Sequence, residues 1–196
     1  MNLIKKITLT LIFSLSLLVK AEETNGCNVV NQLKIFERLT DKERLTLLQT
    51  NNYNLRQILE TLLTKFDSVN SDDKCYVAYL LGDYRFSQAV KVLGKNIALE
   101  DKIHPNQERG AEWFWDRYPA MEALIKIGSA SISAIIQNLT ESDDAKVREL
   151  SLKVIWHIDH DKDIVQLRLK KALKAEKDST RQARLRAALK ALSEIQ

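Results

Sequence analysis

The chain has 196 residues, of which 45% are hydrophobic, enough for one domain with a substantial buried core. Its formal charge of +4 is mostly a property of the leader: beyond residue 21 the balance is 27 basic to 26 acidic side chains, which argues against a strongly basic nucleic-acid-binding protein. What charge remains is uneven, because residues 164–196 carry nine basic groups against three acidic ones.

The amino terminus reads as a signal peptide. Lys5 and Lys6 precede an apolar run from Ile7 to Val19, and Val19-Lys20-Ala21 supplies the small-residue spacing for cleavage near Ala21. The run is about thirteen residues, whereas a spanning helix wants roughly twenty. Cys27 follows the polar "ETNG", which speaks against lipidation, and no second apolar segment of spanning length is expected after processing. The expected location is periplasmic or secreted. Cys27 and Cys75, an even pair in an oxidising compartment, then read as a disulfide, stabilising by about 4 kcal/mol on the loop-entropy model. The other reading is two unrelated cysteines. Neither has partners at zinc-site spacing.

With five glycines and two prolines, and apolar residues recurring at helical spacing, the chain is expected to be all-α with short connections. "NVVNQLKIFERL" places Val29, Leu33 and Phe36 on one stripe, and Thr40 with Glu43 makes a capping box for the next helix. "NNYNLRQILETLLTKF" supplies Leu55, Ile58, Leu59, Leu62 and Phe66, capped by Asn51 or Asn52. Asp72 or Asp73 opens a further helix expected to end at Gly82.

From there the helices resemble one another. "VAYLLGD" (77–83) and "ALIKIGS" (123–129) both end on an apolar residue, glycine and a polar residue, and each precedes a second apolar helix. "DDAKVRELSLKVIWHI" (143–158), "DIVQLRLKKALK" (163–174) and "STRQARLRAALKALSEI" continue the series. A shift of 33 residues places Arg148 on Arg181, Leu152 on Leu185 and Ile155 on Ala188. These residues resemble the HEAT-like repeat family, in the short form first described in phycobilisome lyases. The pattern there is an aspartate-rich turn, a Val-Arg pair, aliphatic residues and a terminal Ile-Gly, and "SDDAKVRELSLKVIWHI" is the best match. The resemblance covers about residues 72–196. It implies an α-α superhelix, a solenoid of antiparallel helix pairs with a concave face, spanning 22–196 as one domain. It does not imply lyase activity, because the repeat is a shared scaffold.

Helical-wheel geometry adds detail. Val147, Leu150, Val154 and Ile158 form one stripe of their helix, with Leu152 and Trp156 nearly opposite, as in a helix sandwiched between neighbours. The last helix gathers Leu185, Ala188, Leu189, Leu192 and Ile195 on one side and Arg186 and Lys190 on the other, which suits an end cap with one wet face.

Gly82 and Gly128 are 46 residues apart against a later period near 33, so roughly a dozen extra residues lie between these copies, in an insertion near 98–118. It holds "GAEWFWDRYP", a concentration of aromatics in a chain that is only 7% aromatic. Arg109, Glu112, Trp113, Trp115, Asp116 and Arg117 have the composition of a protein-recognition hot spot. Alternatively Phe114 and one tryptophan plug the groove, while Pro119 starts the next helix. In "WHIDHDKDI", Asp159, Asp161 and Asp163 imitate a calcium loop, but Ile164 stands at the glycine position and Lys170 at the bidentate-glutamate position. A polar inter-helix turn accounts for it, with His157 and His160 as an alternative transition-metal pair. No phosphate loop, nucleophile elbow or HExxH occurs, so neither enzyme activity nor a cofactor is expected.

The combined expectation is an exported, non-catalytic protein-binding module of the cell envelope, in concrete form an immunity protein neutralising a periplasmic toxin. The alternatives are an envelope assembly adaptor and an envelope-acting hydrolase or lyase using the aromatic insertion. A weak anionic-surface contact through Arg181, Arg184, Arg186 and Lys190 is a further expectation, and nucleic acid is not an expected partner.

Overall fold

The computed structural model describes residues 55–101 and 117–194, and every described element is helical or a turn, so the all-α expectation holds. The chain divides into two compact units, Met1–Val77 and Ala78–Gln196. In the first, helix α1 (Leu55–Lys65) buries Leu59 and Leu62, and the 3-10 turn Phe66–Ser68 that follows it buries Phe66 completely. Those are the residues that the helical stripe predicted. Helix α2 (Ser71–Asp83) is capped by Asn70 rather than by an aspartate inside it. The Asn70 side-chain oxygen accepts from the Asp73 N–H at 2.9 Å, and its amide nitrogen donates to the Asp73 carboxylate at 3.0 Å, satisfying a free N–H of the first turn.

Gly82 lies inside the last turn of α2 and does not end it. A methyl group there would stand 2.6 Å from the Ala123 Cα, so the missing side chain lets two backbones meet. Its counterpart Gly128 behaves as expected: it closes the helix Pro119–Ile127 at φ +79°, a conformation costly for residues with a Cβ. The two "apolar-Gly-polar" endings therefore have different physical causes.

The second unit continues with α3 (Val90–Lys95), α4 (Pro119–Ile127), α5 (Ile132–Glu141), α6 (Ala145–Asp159), α7 (Lys162–Ala175) and α8 (Ser179–Glu194). Pro119 occupies the first turn of α4, where its missing N–H costs nothing. Between α4 and α5 the hydroxyl of buried Ser131 donates to the Leu124 carbonyl at 2.9 Å, satisfying an acceptor at the end of α4. On composition alone Pro119–Glu141 is long and apolar enough to cross a bilayer. Gly128 divides the stretch, and its Met121, Leu124, Ile135 and Leu139 are almost wholly buried in the protein.

Helices α3 and α4 pack together, α3 also meets α5, and α4 also meets α6, so alternate helices stack as well as neighbouring ones. Helix α6 is enclosed: Leu150, Val154 and Ile155 are inaccessible to solvent, and Leu152 on another face is also buried. It packs on α4, α5 and α7. The last helix does not simply extend the stack. It packs on α7 and returns to α5, so that α5, α6, α7 and α8 close a ring. Polar contacts fix the directions: Lys162, at the start of α7, donates to the Ser193 carbonyl at the end of α8 (3.3 Å), and Arg184, near the start of α8, donates to the Thr140 carbonyl at the end of α5 (2.9 Å). Neighbours around the ring are thus antiparallel, as short connections favour.

In the acidic turn between α6 and α7, two carboxylates have structural roles. Asp161 caps α7, accepting from the N–H groups of Asp163 (2.8 Å) and Ile164 (3.2 Å). Asp159, at 7% side-chain exposure, takes a two-pronged hydrogen bond from Arg168 at 2.7 and 3.0 Å. His160 sits between them at φ +53°, ending α6.

Candidate functional site

The described part of the aromatic insertion is its base. Helix α3 stops at Lys95, and Asn96 turns the chain while its side-chain amide donates to the Val92 carbonyl at 2.9 Å. Glu100 and Asp101 follow, and the chain is described again from Arg117. The Asp101 N–H donates to the Arg117 carbonyl at 2.9 Å, which ties the two arms together through their main chains. The Tyr118 hydroxyl donates to one Glu100 oxygen at 3.1 Å, and Arg117 donates to the other at 3.3 Å. Tyr118 is only 3% exposed and precedes Pro119, which keeps it out of the helical region (φ −126°, ψ 80°) and so aims the returning arm into α4.

The electrostatics reinforce this closure. Lys146, in the first turn of α6, lies 5.3 Å from the centre of the Tyr118 ring, within cation–π range. Slight burial works against its charge, but the hydrogen bond with Glu149 and the proximity of Tyr118 outweigh that and raise its pKa above the usual 10.5. The Arg117 side chain is 60% exposed, so its pairing with Glu100 contributes little on its own. The main-chain bond and the buried tyrosine hold the base.

Of the residues expected to contact a partner, Arg117 is therefore at the exposed edge of this base. Arg109, Glu112, Trp113, Trp115 and Asp116 lie outside the described residues, as does Cys27. Cys75 is buried in α2. The basic carboxyl-terminal cluster splits. Arg181 pairs with Glu141 at 3.1 Å, and Arg184 binds the Thr140 carbonyl and the Asp143 carboxylate, so both cations help seat α8 on the end of α5. Arg186 and Lys190 face solvent. Sequence reasoning missed Glu100 and Lys146 as parts of the base, because each meets Tyr118 across a long separation that no local pattern reports.

His157 and His160 approach edge to face with ring centres 6.1 Å apart. Burial, then the nearby His160 and Lys153, depress the His157 pKa from 6.5 to about 4, so this imidazole is neutral at physiological pH. Chemically the base is a closure: its carboxylate receives a phenol and a guanidinium, an arrangement that orients an inserted segment. No family model, no curated protein and no solved structure matches the chain.

Proposed function

We propose that the chain is an exported, non-catalytic module of the cell envelope that binds another protein through the aromatic segment between Asp101 and Arg117. The observation that carries the reading is the tied base: a segment rich in tryptophan leaves and rejoins the helical framework at one point, held by Asp101, Glu100, Arg117 and Tyr118. Rigidly seated insertions on helical scaffolds are common recognition devices, because the scaffold bears the ordering cost before the partner arrives. We further propose that the second unit is a short HEAT-like solenoid whose last helix folds back as a cap. The stacking of α3 on α5 and α4 on α6 supports this. Cleavage near Ala21 and a Cys27–Cys75 bond belong to the same proposal, and an immunity protein occluding a periplasmic toxin is its concrete form.

The test is affinity capture from envelope extracts with the wild-type chain and a Trp113→Ala/Trp115→Ala variant verified as folded by circular dichroism and melting. The expected result is a discrete partner retained by the wild type and lost by the variant. Retention by both would move recognition to the helical faces. Unfolding of the variant would make the tryptophans core.

A further inference from the structure

Helix α7 turns Val165 and Leu169 fully inward, yet Leu167 and Ile164 stand out to solvent at 68% and 43% exposure. A single exposed leucine needs no explanation. Here the two aliphatic groups share an arc of about 120° of the helix surface with Lys170, Lys171 and Lys174, all exposed. None of these three lysines is in an ion pair among the described residues, whereas Lys126, Lys146 and Lys153 each hold a carboxylate. Asp163, in the first turn, is the acidic side chain on the same arc. The outer face of α7 thus offers aliphatic tips amid unneutralised ammonium groups on long apolar stems.

The composition discriminates between occupants. Protein-recognition cores favour tryptophan, tyrosine and arginine and are depleted of lysine, and this face has none of the first three. Lysines around aliphatic side chains suit an anionic lipid surface, where the ammonium groups meet headgroup phosphates and the leucine enters the acyl boundary. Two of the cations in the adjoining α8 are held by Glu141 and Asp143, which leaves Arg186 and Lys190 exposed there against three exposed lysines beside aliphatic tips on α7. We propose that the outer face of α7 docks the protein on an anionic lipid bilayer. This is independent of the aromatic segment.

The experiment is flotation of the full chain with vesicles of phosphatidylcholine alone and of phosphatidylcholine mixed with phosphatidylglycerol, reading the part of binding that depends on the anionic lipid. That part is expected to weaken steeply with added salt. It is expected to fall by about a hundredfold at low salt in Lys170→Gln/Lys171→Gln/Lys174→Gln and by roughly tenfold in Leu167→Gln. Each substitution is at an exposed helical position, and circular dichroism verifies the fold. An Arg186→Gln/Lys190→Gln variant is expected to retain most of the binding. The proposal is overturned if the anionic-dependent part is absent, if the α7 variants keep it, or if the α8 variant loses as much. Binding to soluble polyglutamate without vesicle flotation would also overturn it, in favour of an acidic protein partner.

Discussion

Helices α6 and α7 are consecutive, similar in length and joined by only two residues, yet they differ in how much of their surface they bury. Helix α6 hides Leu150, Leu152, Val154 and Ile155 on more than one side, because α4, α5 and α7 all pack against it. Helix α7 buries Val165 and Leu169 along one stripe, half-buries the residues beside it and exposes the opposite face. The lesson is that a repeated helix pattern takes its surface chemistry from its place in the stack. An inner helix answers to neighbours on several sides, while an outer one keeps a face available for something else.

This contrast is open to measurement. The largest effect is expected from Leu150→Ala in α6, where a fully buried side chain leaves a cavity among three helices. A loss of about 2–5 kcal/mol in urea unfolding is the expected cost, and a loss below 1 kcal/mol would mean that the interior is loosely packed. A smaller effect comes from acid. Because burial, His160 and Lys153 lower the His157 pKa to about 4, the unfolded chain takes up this proton first as pH falls through 6.5. Stability from this group is complete above 6.5 and drains away toward pH 4, with a slope of less than one proton. Glu149, lowered chiefly by its hydrogen bond with Lys153, adds its own loss mainly around and below its ordinary 4.5, so of these two groups the histidine governs the window above 5. In His157→Gln the decline between 6.5 and 5 should flatten; an unchanged profile would assign it elsewhere. The smallest effect is expected from Leu167→Ala on α7, within about 0.5 kcal/mol of wild type. A loss comparable to that of Leu150→Ala would show that this face is covered in the folded protein.

Legibility in the sequence followed the range of the interactions. Pro119 opening α4, the stripe through Leu59, Leu62 and Phe66, and the wet face of α8 with Arg186 and Lys190 were readable because each depends on residues within a few turns. The acidic turn was readable for the same reason: Asp161 caps the helix that starts beside it. Gly82 was misjudged as a helix end because its role is set by Ala123, on another helix. Asn70 was passed over since Ser71, Asp72 and Asp73 offer equally good capping chemistry in a row, and only the backbone path selects among them. The return of α8 to α5 rests on Arg181 with Glu141 and Arg184 with Asp143, pairs about forty residues apart. The exposed Leu167 was within reach: a helical wheel of α7 already places it among lysines.

The bond between Asp101 and Arg117 also bears on how such a protein can change over time. Because the two arms are joined there, the closure cost of the chain between them grows slowly with its length, a doubling adding only about 0.6 kcal/mol. Closure entropy by itself therefore sets little limit on how long the chain between Asp101 and Arg117 can be. Changes at Glu100, Tyr118 or Pro119 are of another kind, because they would loosen the base itself.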